Sequence, residues 1–179
     1  PQTVGHEAAV KLPLVSRKSS VFARFRIRRF LPCDRPTICG WVTTPQALRF
    51  VSSDTGDSLT PEILERWLAD ALVCLVLSRE FSDEAVGFCT LSQKESAGLP
   101  QSHIELCHLL IKPEIRSLSL GSRLCKVAGS LACELGYQYL CGRVVPINCR
   151  SLALVKSLGA EEFTGQEGWA QPSFRWFRL

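Results

Sequence analysis

The sequence predicts a mixed α/β (α+β) domain: a mostly antiparallel central sheet of six to seven strands, flanked by about four helices. Three observations predict it. Residues 103–136 read as a strand, a short loop and a helix, because the apolar spacing changes from a strand pattern to recurrence every three or four residues. Residues 71–93 read as two strands joined by a five-residue loop, which fits an antiparallel hairpin. A further strand, helix and pair of short strands complete the chain, with no internal repeat, low-complexity segment or domain linker.

Taken in order, residues 1–20 lack any sustained period and read as an extended arm or tail, leaving 21–179 as a single domain. Residues 22–31 form the first strand. In ARFRIRRF, the alternation of arginine with Phe25 and Ile27 predicts an edge strand with a solvated arginine face. Residues 32–43 turn into a short helix with Asp34 as its N-cap and Pro36 in its first turn, and 49–59 read as a polar loop. Thr60, Pro61 and Glu62 begin a second helix through Trp67 and Leu68. After the 71–93 hairpin and a surface loop at 94–102, the central strand runs from His103 to Ile111. Pro113 stops its pairing, since proline has no backbone donor. In the following helix Leu120, Leu124, Val127, Ala128, Leu131, Ala132 and Leu135 share one face, and Gly136 ends it. Residues 137–145 run parallel to the central strand through a right-handed crossover. Asn148 caps a helix to Leu158, and 160–163 and 173–179 close the sheet. The C-terminal strand is expected to be exposed, open to pairing with a second copy in a homodimer.

Composition narrows the function classes. Hydrophobic content of 46% and charged content of 21% are those of a globular domain, and the longest apolar run, 71–77, is too short to span a bilayer. The first residues lack the layout of a signal peptide. Nine cysteines include no C-x-x-C pair and form no metal set with the three histidines, so no metal site is expected. An odd number without regular spacing fits the reducing cytoplasm. Net charge is +4, and Arg24, Arg26, Arg28 and Arg29 cluster, but no nucleic-acid motif accompanies them, so a nucleic-acid partner is not expected.

A strand, a turn of small residues and a helix N-terminus make an anion site, because the first turn's backbone donors and the helix dipole both favour phosphate. Two texts lie on that scaffold: Arg116-Ser117-Leu118-Ser119-Leu120-Gly121 after Ile111-Lys112-Pro113, and Asn148-Cys149-Arg150-Ser151 running to Gly159-Ala160. Their order and spacing resemble the GNAT superfamily of acetyl-CoA-dependent N-acetyltransferases, in a divergent form similar to its small bacterial members. The family's motifs read V-x-P-x-x-(R/Q)-x-x-G-x-(G/A) and N-x-x-A-x-x-x-Y-x-x-x-G-F. The resemblance extends over about residues 25–179 and is closest over 103–160. The segments C-G-W-V-x-T-P-x-x-L-R-F and L-T-P-E-x-L-x-x-W-L also look like the acceptor-side helices of that family.

The resemblance implies a coenzyme A site and acetyl transfer to a primary amine, with a small molecule or a protein N-terminus as acceptor. Backbone donors of Leu118, Ser119, Leu120, Gly121 and Ser122 would cradle the pyrophosphate, Arg116 and Ser117 would shape the loop, and Asn148, first a helix cap, would add a cofactor-side contact. The backbone of Leu109, Leu110 and Ile111 would pair with the pantetheine arm like an added strand, if the two parallel strands splay apart. Ser119 stands where the family usually has its first glycine; its side chain either crowds a phosphate or donates an extra hydrogen bond. Transfer needs an uncharged amine, so a base must take a proton. Glu105 is the expected base, with a pKa raised by partial burial, and His103 on the same strand face is the alternative. Val155 occupies the place of the family's tyrosine, leaving Ser151, one turn earlier, as the hydroxyl that could assist thiolate departure. Cys107 and Cys149 are the candidates for an acyl-enzyme route, and neither has a charged helper beside it in sequence. The alternative to an enzyme is a non-catalytic module of this fold that binds acyl-CoA or a protein partner.

Overall fold

The computed structural model describes residues 25–93, 100–163 and 174–179. The predicted arm at 1–20 and most of the surface loop at 94–102 lie outside the described residues. Seven strands form one sheet: β1 (Phe25–Arg29), β2 (Val73–Arg79), β3 (Ala85–Ser92), β4 (His103–Ile111), β5 (Tyr139–Val144), β6 (Glu161–Phe163) and β7 (Arg175–Arg178). Their order is β1-β2-β3-β4-β5-β7-β6, and only the β4–β5 pair is parallel. The helices are α1 (Arg35–Cys39), α2 (Pro45–Val51), α3 (Pro61–Ala69), α4 (Leu120–Glu134) and α5 (Cys149–Ser157). The expected fold class is therefore observed, with one more helix among the described residues than the sequence predicts. The C-terminal strand is not an edge: β7 is flanked by β5 and β6, which removes the pairing surface expected there for a second copy.

Helices cover the sheet on both faces. The apolar stripe of α4, with Leu120, Leu124, Ala128 and Leu131, packs on Leu75, Leu77, Leu91, Ile104 and Leu140. On the opposite face, Ile38, Leu48, Leu64 and Trp67 of α1–α3, with Trp41 and Val42 between α1 and α2, pack on Val76, Phe88 and Leu110. Each fully buried side chain of this kind contributes about 1.5–3 kcal/mol, so α1–α3 are held mainly by burial and little by helix propensity at these lengths.

Three helix starts follow local rules. Thr44 and Thr60 are extended N-caps whose hydroxyls accept from Ala47 N and Ile63 N, each followed by proline. Asn148 accepts from Ser151 N in the same way, as expected. The helix α2 falls partly in the segment expected to be a polar loop; its Thr44–Pro45 start signal outweighs the polar residues that follow it. Asp34 corrects a second expectation. The residue does stand at the N-cap position of α1, but its side chain makes no capping bond to that helix: it is buried, accepts from Leu31 N at 2.8 Å and takes two 2.7 Å bonds from the Arg28 guanidinium. Arg28 thus departs from a solvated arginine face, since it lies between Asp34 and Asp83.

Asp54 ties the α2–α3 connection together. Burial works against its charge, but hydrogen bonds from Ser52, Trp67 and Arg66 outweigh that and hold the carboxyl at about 2. A depressed folded pKa contributes stability that is complete above the unfolded value near ~4 and is lost as pH falls through the folded value. We expect acidification from pH 5 to 2 to remove about 1–2 kcal/mol through this group, after allowing for solvent screening. Urea unfolding across that range should show a shallower acid limb in Asp54→Asn than in the parent chain.

Candidate active site

The central strand prepares a site in two ways. Between Phe88↔Leu110 and Thr90↔Cys107 the ladder slips by one residue, so β4 bulges, and His108 takes up the extra residue at φ +53°. The bulge residue is clamped: its ring stacks on Trp67 with centroids 3.9 Å apart, and its Nδ1 lies 2.9 Å from Thr90 Oγ1. On the other edge, β4 pairs with β5 only through His103↔Tyr139, Ile104↔Leu140 and Glu105↔Cys141. Beyond Glu105 the strands part, as the added-strand arrangement requires, and β5 continues along β7 to Val144. The β5-side edge of residues 106–111 thus has no strand partner in the ladder.

A cavity of about 780 Å³ opens beside this fork. Leu109, Leu110, Ile111, Arg116, Ser117, Ser119, Leu120, Gly121, Ser122, Asn148 and Ser151 line it together. Leu118 is not part of the wall and is 47% exposed. The loop entering α4 bends through two left-handed residues, Ser117 (φ +71°) and Ser119 (φ +56°). A left-handed residue followed by a helical one turns successive N–H groups toward one point, a geometry suited to anions. Ser119 adopts the conformation that glycine favours and makes no capping bond with its side chain.

The cavity's electrostatics are one-sided. Among the described residues that line it, the charged ones are Arg116 and Arg150, with no carboxylate. Arg116 Nε donates to Ile111 O at 3.1 Å, which fixes its stem against the strand end. Burial first, and Arg150 second, lower its pKa from the ordinary arginine value, so a bound anion would relieve both penalties. Sequence reasoning missed Arg150. A cation in the first turn of α5 opposes the helix dipole, and that conflict was the available signal.

The acid–base candidates lie elsewhere. Glu105 is 3% exposed, outside the cavity wall, at the last β4–β5 pair, the apex of the fork. Its carboxylate is paired: Arg143 Nε donates to Oε1 at 2.6 Å. His103 is also buried outside the wall, against Tyr139, with Nδ1 3.0 Å from Ser102 Oγ. Burial and then Arg178 lower its pKa below the usual histidine value, which favours the neutral ring. Burial, and next the neighbouring Glu105, push the Cys107 thiol well above its usual range, so it is a poor nucleophile. Cys149 is exposed on the cavity wall, and all nine cysteines are free. Val155 is absent from the lining. Of the four tryptophans, Trp41 lines the cavity, Trp67 and Trp176 are core, and Trp169 lies outside the described residues. No group of three or more metal-ligating side chains and no helix long and apolar enough to cross a membrane occurs among the described residues.

Comparison with known proteins gives three results. The model of the acetyltransferase (GNAT) family matches residues 39–160. A thialysine N-epsilon-acetyltransferase of Bos taurus is 36% identical over 67 residues, 37% of this chain and 39% of that protein. The match thus spans about two-fifths of the length of that curated relative. Among solved structures, a domain from Methanocaldococcus jannaschii DSM 2661 aligns with a TM-score of 0.68 at 17% identity, covering 87% of this chain and 97% of that one. The GNAT domain of S. lividans PAT gives 0.66 at 14% identity, covering 87% and 89%. The ribosomal-protein-S18-alanine N-acetyltransferase of Escherichia coli gives 0.59 at 14% identity, covering 86% and 90%. At these identities the structures support the fold alone.

Proposed function

Because the chain belongs to the acetyltransferase (GNAT) family, we propose that it transfers acetyl from acetyl-CoA to a primary amine by direct attack. The observation that carries the reading is the cavity wall: two arginines, a left-handed approach to the α4 N-terminus and no described carboxylate, beside a strand edge left open by the fork. That donor set suits a ligand with a phosphate-rich head and an amide-bearing arm. Bound there, acetyl-CoA supplies an acetyl group activated as a thioester.

The chain's own residues divide the remaining work. Backbone donors at Ser119 to Ser122 hold the pyrophosphate, with Arg116 and Arg150 adding charge. The backbone of Leu109 to Ile111 pairs with the pantetheine amides and so fixes the direction from which the thioester enters the fork. Asn148 keeps α5 capped and its first turn in place against the cofactor. Glu105 at the fork apex accepts the amine proton, with His103 two residues earlier as the alternative acceptor. Ser151 offers a hydroxyl to the departing thiolate, whose pKa resembles a free thiol's and requires little help. The nine free thiols fit a cytoplasmic setting. Val155 and the pairing of Glu105 with Arg143 favour a second reading, a non-catalytic module that binds acyl-CoA or a protein partner.

Calorimetric titration with acetyl-CoA, coenzyme A and ATP tests the site. Binding of both coenzyme A forms, but not of ATP, is expected. Arg116→Ala and Arg150→Ala should each weaken that binding by about 10–100-fold, the loss of one charge-assisted contact. No binding of either coenzyme form would exclude the cofactor site. Binding without any turnover is the result that selects the second reading.

A further inference from the structure

The cavity has two ends of different chemistry. One end, at the starts of α4 and α5, carries Arg116, Arg150 and the backbone donors. The other is built from Trp41, Val42, Ala47, Phe50 and Val51, with Leu110 contributed by the strand. The polar groups at this end, Thr44 and Gln46, are neutral. From this division we infer that the acceptor is a monoamine with an apolar remainder, seated against α2 and the segment that leads into it from α1. The inference rests on the acetyl-transfer reading and narrows its substrate class.

Charge decides the class. A polyamine, or an amino acid with a second ammonium, would bring an extra cation into a wall with no described carboxylate, where it has nothing to pair with. Of the carboxylates outside the wall, Asp54 is engaged by Arg66, Ser52 and Trp67 and Glu105 by Arg143, while Glu114 acts on Arg116 at the arginine end. A substrate carboxylate would compete with phosphates for Arg116 and Arg150. An alkyl or aryl group instead gains contact with Phe50, Val51 and Trp41. The apolar wall also disfavours the ammonium form of the single reacting amine, which supplies more of the uncharged amine that attacks.

The test uses the full chain with acetyl-CoA, and acetylated amine is quantified by mass spectrometry. Phenethylamine and hexylamine should exceed spermidine and lysine in kcat/KM by at least about tenfold, the discrimination one hydrophobic contact supplies. Calorimetry on the coenzyme A complex should show the same order of amine affinity. Ala47→Glu, which places a carboxylate in the wall, should shift the phenethylamine-to-spermidine ratio toward spermidine by about tenfold or more. Phe50→Ala should lower the same ratio by removing apolar wall. Acetyl-CoA binding with spermidine or lysine preferred overturns this inference and leaves acetyl transfer standing. A preference for hexanoyl-CoA over acetyl-CoA, with no discrimination among amines, also overturns it, because the apolar end would then hold the acyl chain. Failure to bind acetyl-CoA overturns both readings together.

Discussion

Replacing Glu105 with glutamine is expected to lower kcat by about 10²–10⁴-fold, the range a positioned general base supplies. Coenzyme A binding should persist, because Glu105 lies outside the cavity wall that holds the arginines and backbone donors. The expectation rests on position: Glu105 is the last residue of β4 paired with β5, at the point where the strands separate and an amine entering the fork would meet the thioester. The Arg143 guanidinium 2.6 Å away complicates a simple reading, because glutamine removes its counter-charge as well as the base. A purely structural role predicts that Glu105→Gln loses stability and activity in parallel. A base predicts that kcat falls by the full range while thermal unfolding changes modestly, since the amide still accepts from Arg143. Activity within about threefold of the parent, too small a change for loss of a general base, would remove Glu105 from the mechanism and leave His103 as the next residue to test.

The contrast between Glu105 and the cofactor-side residues also shows what the sequence could express. The β4–α4 unit was legible because its signals are local: apolar periodicity switches between Ile111 and Leu120, and Pro113 and Gly136 punctuate it. The residues read as cofactor contacts, Asn148 apart, follow in sequence along that unit, and most of them line one wall. Arg143 stands 38 positions after Glu105, so their pairing depends on strand order and register, which no short window contains. The same holds for His108. Its left-handed backbone is demanded by a slip between β3 and β4, and histidine itself gives little hint of a bulge. The helix α2 looks partly like loop in the sequence because it has seven residues, of which Leu48 alone is buried. Its start signal was present at Thr44 and Pro45, but the polar stretch after Val51 dominated the composition.

Asp34→Ala is expected to destabilise the fold by about 3 kcal/mol, toward the lower end of the range for breaking a buried pair, because Arg28 keeps a second carboxylate. Asp34 is 4% exposed, and its two oxygens take both terminal nitrogens of Arg28 while one also accepts from Leu31 N. Alanine would leave a guanidinium with 15% side-chain exposure facing an apolar replacement, and a backbone donor without its acceptor. Asp83, the other partner of Arg28, is 41% exposed and also pairs with Arg26, so Asp83→Ala should cost no more than about 1 kcal/mol. Urea unfolding of the two variants separates the accounts: a surface network predicts similar small losses, whereas a buried pair predicts a large loss for Asp34 alone. The difference extends to the cavity. Arg28 and Asp34 anchor the turn from β1 into α1, and Trp41 and Val42 just past that helix form part of the apolar cavity wall. A chain weakened at Asp34 should therefore lose discrimination among amines at temperatures below its global unfolding, while the arginine end, held by β4, α4 and α5, still binds coenzyme A. Equal loss of both functions at one temperature would mean that the two ends of the cavity unfold as a single unit.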